Sequence, residues 1–438
     1  MSQSSINTTN SQYSARETLA LIGYSLLILV ATPLFLVHWL VMFLLRREHF
    51  DLHRLSRFSL YLKPIQKSQL LIHCVSVGEV NVAASLIRNI RQHSPATSIT
   101  VTTTTPTGAA NVKQSMPDNV QHLYLPLDMS WFMSRLLKRV QPQKVLIVEV
   151  ELWPNMLRQC QRFGIPAYLV NGRMTDSSAH SYLKLRWLVH PMLRNLTKVC
   201  AQAARDHDNY LQLGVTPAQL EMTGNVKFEL AQANNDKAQQ LITQLNIDSR
   251  PIIVAGSTHD PEEEVIIEAA KILSLRFPDI VWIIVPRHPQ RFEKVYSLIK
   301  RSGLGVVKSS RNKPPRNPVE MVLVDEMGVL GGLYSFASIA FVGGSIADRG
   351  GHNALEPAAE GVPVMMGPHR YNNPGICDVL EQEGNLVLVD NAEDVAKYVS
   401  EWLSDDEQRR SAGKAGAQVI EQNRGAIQKT LHAVGLDK

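Results

Sequence analysis

The chain has 438 residues, enough for two domains of ordinary size. Its 45% hydrophobic and 19% charged residues are globular composition, which excludes a disordered, a collagen-like or a multi-spanning chain. Lys and Arg total 45 against 40 Asp and Glu, a net charge of only +5, too weak for a dedicated nucleic-acid binder. Cys74, Cys160, Cys200 and Cys377 form no C-x-x-C pair, so neither a disulfide framework nor a zinc site is expected, and no metal is assigned.

Residues 1–17 are rich in Ser, Thr, Asn and Gln and predict a disordered tail. From Thr18 to Leu45 no Asp, Glu, Lys or Arg occurs. As a helix this stretch exceeds the roughly 30 Å hydrocarbon core, so residues 18–45 predict a single membrane span. No small-residue cleavage pattern of a signal peptide follows. Arg46, Arg47, Arg54, Arg57 and Lys63 come after the stretch and only Arg16 before it. The positive-inside bias therefore places the rest of the chain in the cytoplasm.

Apolar runs at 70–75, 98–103, 144–148 and 167–170 then alternate with helical patterns, as parallel strands covered on both faces do. A polar stretch at 231–250 reads as a connector with room for one helix. A second series follows at 251–255, 280–285, 321–324, 339–342 and 362–366. The expected fold is α/β: two Rossmann-like domains, 66–240 and 250–438, preceded by one transmembrane helix.

In open α/β sheets ligands bind beyond the carboxyl ends of the strands, so the residues just after each run matter most. Ser76-Val77-Gly78-Glu79 follows the first run. It reads either as a capping box or as a carboxylate able to take a proton from a hydroxyl. Thr102 to Gly108 is a hydroxyl-rich loop, fit for polar substrate groups or for capping. Val148 is followed by Glu149-Val150-Glu151-Leu152-Trp153-Pro154-Asn155; a continuing strand would put Glu149 and Glu151 on one face. Arg173 and Lys227, in Gly224-Asn225-Val226-Lys227-Phe228, are cations at comparable places.

In the second series, Ala255-Gly256-Ser257-Thr258 precedes an acidic helical turn at Glu262, Glu263 and Glu264; the segment suits an anion or plain capping. Pro286-Arg287-His288-Pro289 offers a guanidinium for phosphate. Gly343-Gly344-Ser345 and Gly350-Gly351-His352-Asn353-Ala354-Leu355-Glu356 let the backbone approach a nucleotide, with Glu356 placed to accept from ribose hydroxyls. His352 and Glu356 lack the H-E-x-x-H pattern of a metal site.

These motifs, in this order and joined by Ser257-Thr258-His259, Met327-Gly328 and Gly367-Pro368-His369, resemble those of the Kdo (3-deoxy-D-manno-oct-2-ulosonic acid) transferases of lipopolysaccharide synthesis. The resemblance runs from about Leu70 to the C-terminus. It implies a glycosyltransferase B-type fold and transfer of Kdo from CMP-Kdo to a lipid A precursor, with inversion, at the cytoplasmic face of the inner membrane and without a cofactor. It further implies Glu79 as the base, and Glu149 and Lys227 as transition-state stabilisers. CMP would be held by Pro286, Arg287, Met327, Gly328, Val329, Asn353, Ala354, Leu355 and Glu356. The chain departs from the family pattern at Val150, commonly Thr, and at Val329, commonly Glu, where no polar side chain is left for the nucleotide. The N-terminal tail is also longer than usual. The alternatives are another sugar-nucleotide enzyme of this fold, such as a GlcNAc transferase or an epimerase, or a membrane-tethered nucleotide-binding protein without catalysis. Lys184, Arg186, Arg194 and Lys198, interleaved with Leu183, Leu185, Trp187, Leu188, Leu193 and Leu196, form either a membrane-facing stretch or an ordinary amphipathic helix.

Overall fold

The structure is a computed structural model and describes residues 13–45, 52–230, 236–311 and 319–437. The expected tail falls mainly on residues 1–12, outside the described residues, as do Arg46 and Arg47; residues 15–17 are already helical.

The chain forms two compact units. In the first, the strands are β1 (Leu70–His73), β2 (Ile99–Thr103), β3 (Gln121–Tyr124), β4 (Lys144–Val148), β5 (Ala167–Gly172), β6 (Lys198–Ala201) and β7 (Leu220–Met222). They pair in the order β3-β2-β1-β4-β5-β6-β7, parallel throughout. The second unit carries β8 (Ile252–Thr258), β9 (Val281–Pro286), β10 (Val306–Lys308), β11 (Met321–Leu323), β12 (Ile339–Val342), β13 (Val364–Met366) and β14 (Leu386–Leu388). Its order is β10-β11-β9-β8-β12-β13-β14, also parallel. Two doubly wound Rossmann-like sheets follow from the two βα series. The central strands are buried along their length because helices cover both faces, which is why they read as continuous apolar runs. Short edge strands such as β3, β7, β10 and β14 carry too little apolar sequence to stand out.

The unit boundaries differ from the expected 66–240 and 250–438 at both ends. Helix Asp236–Leu245 packs Ala238, Leu241, Ile242 and Leu245 into the second unit's core, so its apolar face decides against a linker. Residues 425–437 return to the first unit, where Ala426, Ile427, Leu431 and Val434 join the β1 and β2 core.

Helix α1 (Ala15–Leu45) belongs to the first unit and is long and apolar enough to cross a membrane. Leu19, Ile22, Leu26, Leu27, Val30 and Leu34 are exposed, whereas Glu17 and Leu21 are buried against the unit. Pro33 lies within the helix without ending it.

Candidate active site

Each sheet has one place where strand order reverses, and the sequence motifs gather there. In the first unit β1 and β4 are neighbours whose connections run opposite ways, so their carboxyl ends open a crevice. Helix α2 (Val77–His93) starts at the tip of β1 with Ser76 as its cap. The Glu79 carboxylate accepts from the Val75 N–H (2.7 Å, Oε2) and from the Ser76 hydroxyl (3.1 Å, Oε1), while the Glu79 N–H donates to Ser76 Oγ at 3.4 Å. Ser76 therefore caps the helix, and Glu79 reaches back past the cap to the Val75 amide, one residue beyond a standard capping box, which fixes the carboxylate at the strand tip. Burial pushes the Glu79 carboxyl up to about 7; the Val75 amide opposes this, and the charges of Glu149 and Glu151 add to the rise. A group poised near neutrality suits a base.

At the end of β4, Glu149 does not continue the strand. Its φ is +64°, left-handed and unusual for a residue with a side chain, so the expected strand alternation of Glu149 with Glu151 does not hold. The turn brings Glu149 Oε1 to 2.7 Å from Lys227 Nζ. Lys227 comes from the 3-10 turn Val226–Leu230, held because the buried Asn171 side chain accepts from the Val226 N–H at 2.9 Å. A Cβ on Gly78 would stand about 4.0 Å from Lys227 Nζ, so the cation also borders the Glu79 loop. Burial raises the Glu151 carboxyl as well.

Two residues that the sequence reading passed over hold this corner. His73, wholly buried in β1, accepts the Trp153 indole N–H on Nε2 (3.1 Å) and lies 3.0 Å through Nδ1 from Thr102 Oγ1. Accepting on Nε2 requires the Nδ1–H tautomer, and burial lowers its pKa to about 4, so the ring is neutral. Asp128 accepts from the N–H groups of Asn155 and Met156, both at 2.9 Å, and so caps helix Pro154–Arg162. Burial pushes its carboxyl up to about 6 against those bonds. His73 lies inside an apolar run, and Asp128 follows the short run 123–127 of an edge strand that does not stand out as one. In the hydroxyl loop, Thr102 is committed to His73, and Thr105 donates to Val75 O (2.7 Å) and caps the Gly108 N–H (3.1 Å); capping prevails there.

In the second unit the reversal lies between β8 and β12. The amides after Gly343 do not await a phosphate. The buried Glu262 carboxylate accepts from the N–H groups of Gly344 (2.8 Å), Ser345 (2.8 Å), Ile346 (3.0 Å) and Ala347 (3.2 Å), and from that of His259 (2.9 Å). An internal anion fills the nest, which corrects the expectation of a ligand there. Helix Leu355–Ala359, which follows the glycines, is only five residues long.

Side chains around this corner are basic. His259 Nε2 lies 2.9 Å from His352 Nε2 with ring planes 7° apart, and His288 stands edge-on to His259 at 5.3 Å between centroids. Burial first, then neighbouring His288, Arg349, Arg291 and Arg287, lowers His259 to about 4; burial, then His259, Arg287 and His288, lowers His352 to about 4. Both are neutral, one donating to the other. A Cβ on Gly344 (φ +70°) would meet the His352 ring at 2.8 Å, so only glycine allows this packing. Arg287 is exposed at the end of β9 and Met327 is exposed beside Gly328 (φ +82°). Val329, Ala354 and Leu355 are buried, leaving their backbone alone for any ligand. Glu356 accepts from Asn353 Nδ2 at 3.0 Å, and burial raises its carboxyl. Among the described residues, no group of three or more His, Cys, Asp or Glu is arranged to hold a metal ion.

A family model described as 3-deoxy-D-manno-octulosonic-acid transferase (kdotransferase) matches residues 53–230. The 3-deoxy-D-manno-octulosonic acid transferase of Haemophilus influenzae is 38% identical over 366 residues, 83% of this chain and 85% of that protein. The same-named protein of Bordetella pertussis is 28% identical over 374 residues, covering 83% and 86%. Among solved structures, a UDP-GlcNAc 2-epimerase from Neisseria meningitidis matches with a TM-score of 0.57 at 12% identity, covering 85% of this chain and 99% of that one. A glycosyltransferase from Rickettsia africae matches at 0.55 and 14%, covering 85% and 98%. At such identities the likeness is one of fold, the glycosyltransferase B type. With the Haemophilus relative aligned along most of both chains, this chain belongs to the 3-deoxy-D-manno-octulosonic acid transferase family and is a glycosyltransferase.

Proposed function

We propose that the chain transfers Kdo from CMP-Kdo to a lipid A precursor at the cytoplasmic face of the inner membrane, with inversion. The observation that carries the reading is Glu79: a buried carboxylate titrating near neutrality, at the switch point of the first sheet, beside the Glu149–Lys227 pair, in a chain of this family. Glu79 takes the proton of the acceptor hydroxyl as its oxygen bonds to the anomeric carbon. The bond from that carbon to the phosphate breaks, and CMP leaves with the electron pair. Lys227, held by Glu149, supplies fixed positive charge to the transition state.

The donor is assigned to the second unit. Arg287 answers its phosphate, Asn353 and Glu356 face its hydroxyls, and Pro286, Met327, Gly328 and the backbone of Val329, Ala354 and Leu355 shape the nucleotide pocket. The exposed leucines and the cations at Lys184 and Arg186, together with α1, support a membrane-bound acceptor.

The test is incubation with CMP-Kdo and tetraacylated lipid A precursor, with product masses read by mass spectrometry. Gain of one or more Kdo units is expected, and CMP, not UDP, should raise the melting temperature. Absence of any Kdo-bearing product, with the protein folded and binding CMP, would overturn the reading.

A further inference from the structure

We infer that α1 lies in the plane of the membrane surface, with both ends on the side of the catalytic units, instead of spanning the bilayer; this rests on the membrane-bound reading above. A span over residues 18–45 would put Glu17 about 40 Å along the helix from its exit, beyond a hydrocarbon core of roughly 30 Å. Yet Glu17 Oε1 lies 2.9 Å from Arg194 Nη2 of the helix Arg186–Arg194. No bilayer fits between them.

The contact is not isolated. Tyr13 donates to Gln161 Oε1 (2.8 Å), Tyr24 to Asp128 Oδ2 (3.0 Å), and Ser25 exchanges hydrogen bonds with the Asn155 side chain at 3.2 and 3.3 Å. Thr32 Oγ1 reaches the Met129 sulfur at 3.8 Å. From Glu17 to Thr32, α1 therefore follows the first unit for about 22 Å at 1.5 Å per residue. Positions 17, 21, 24, 25 and 32 share one helical face, and that face carries the buried or bonded side chains.

The opposite face exposes Leu19, Ile22, Leu26, Leu27, Val30, Leu34 and Val37, an aliphatic stripe too long to be left in water. Its occupant is the acyl layer of one phospholipid leaflet. Charge and aromatic placement support that choice over a protein partner. Arg16 and Arg186 stand 5.3 and 4.7 Å from the centre of the Trp187 ring, next to exposed Leu183 and Leu185, at the end of the stripe where cations and an indole meet anionic headgroups. The helix thus docks on the protein through polar groups and on lipid through aliphatic ones, and Tyr24 and Ser25 tie it to Asp128 and Asn155, which seat the segment after Glu149.

Two measurements on the full-length chain test this. Ser14→Cys, in a chain whose four native cysteines are all buried, is treated with a membrane-impermeant maleimide in intact spheroplasts and in inverted inner-membrane vesicles. Labelling in inverted vesicles alone is expected; labelling in spheroplasts overturns the inference. Bimane on Leu19→Cys, Leu27→Cys or Leu34→Cys is then read by depth-dependent quenching in phosphatidylglycerol-containing vesicles. Equal, shallow depths are expected. Leu27 and Leu34 both much deeper than Leu19 means a span, and no lipid quenching means a protein partner; either overturns it. Neither readout involves Kdo transfer, so failure here leaves the transferase reading standing.

Discussion

Lys227 Nζ stands 2.7 Å from Glu149 Oε1, with both side chains largely buried at the end of β4. Removing one partner strands the other charge. Lys227→Ala should cost about 3 kcal/mol of stability, and Lys227→Ala combined with Glu149→Gln should recover most of it. Transfer should stay low in the double variant if the pair also acts on the transition state. Denaturant midpoints and turnover on the same preparations separate the two effects; a double variant with near wild-type turnover would make the pair structural only.

With Glu79 as the base of the proposed reaction, its ionisation should set the acid limb of activity. With its carboxyl held near 7, transfer should fall as pH drops through about 7, and Glu149→Gln, by removing a neighbouring negative charge, should move that limb to lower pH. Glu79→Gln should lower turnover by roughly 10²- to 10⁴-fold. The folded pKa lies above the usual 4.5, so ionising Glu79 costs stability, and that cost grows as pH rises through 7. Glu79→Gln should therefore melt no lower than wild type at pH 8, whereas Glu79→Ala, which loses the bonds to Val75 and Ser76, should melt lower. An acid limb unmoved by Glu149→Gln would separate the two carboxylates.

Glu262 is expected to organise the second unit. Its five amide partners join the loop after β12 to His259. Glu262→Gln turns one acceptor into a donor facing N–H groups and should destabilise more than Glu262→Ala does in buffer containing formate, whose anion can occupy the emptied nest. Calorimetry with and without formate reads this; a Glu262→Ala protein indifferent to formate and to phosphate would count against an anion nest.

The His259–His352 pair predicts acid sensitivity. Both are lowered to about 4 from the usual 6.5, so the unfolded chain binds more protons between those values and stability falls as pH drops from about 6.5 toward 4. His352→Gln should flatten that fall in a melting series, and a slope equal to wild type would argue against the pair as its source.

Much of this was legible beforehand. The central strands announced themselves as apolar runs because burial on both faces leaves no room for alternation, and Glu79, Glu149 and Lys227 fell at strand ends, where doubly wound sheets place their chemistry. The strand-end glycines were also conspicuous. What they do depends on partners distant in the chain: Gly344 makes room for His352, and the amides beside it serve Glu262.

Local sequence by itself determined strand cores, caps and the apolarity of α1, since these depend on neighbours within one or two turns. The tertiary structure alone decided what each polar group meets. It put Glu262 in its nest, a proton on Nδ1 of His73, the last helix back on the first unit, and Glu17 against Arg194. Those partners lie from 80 to more than 170 positions apart. Periodicity says which face a side chain takes, and only the folded chain says what stands opposite it.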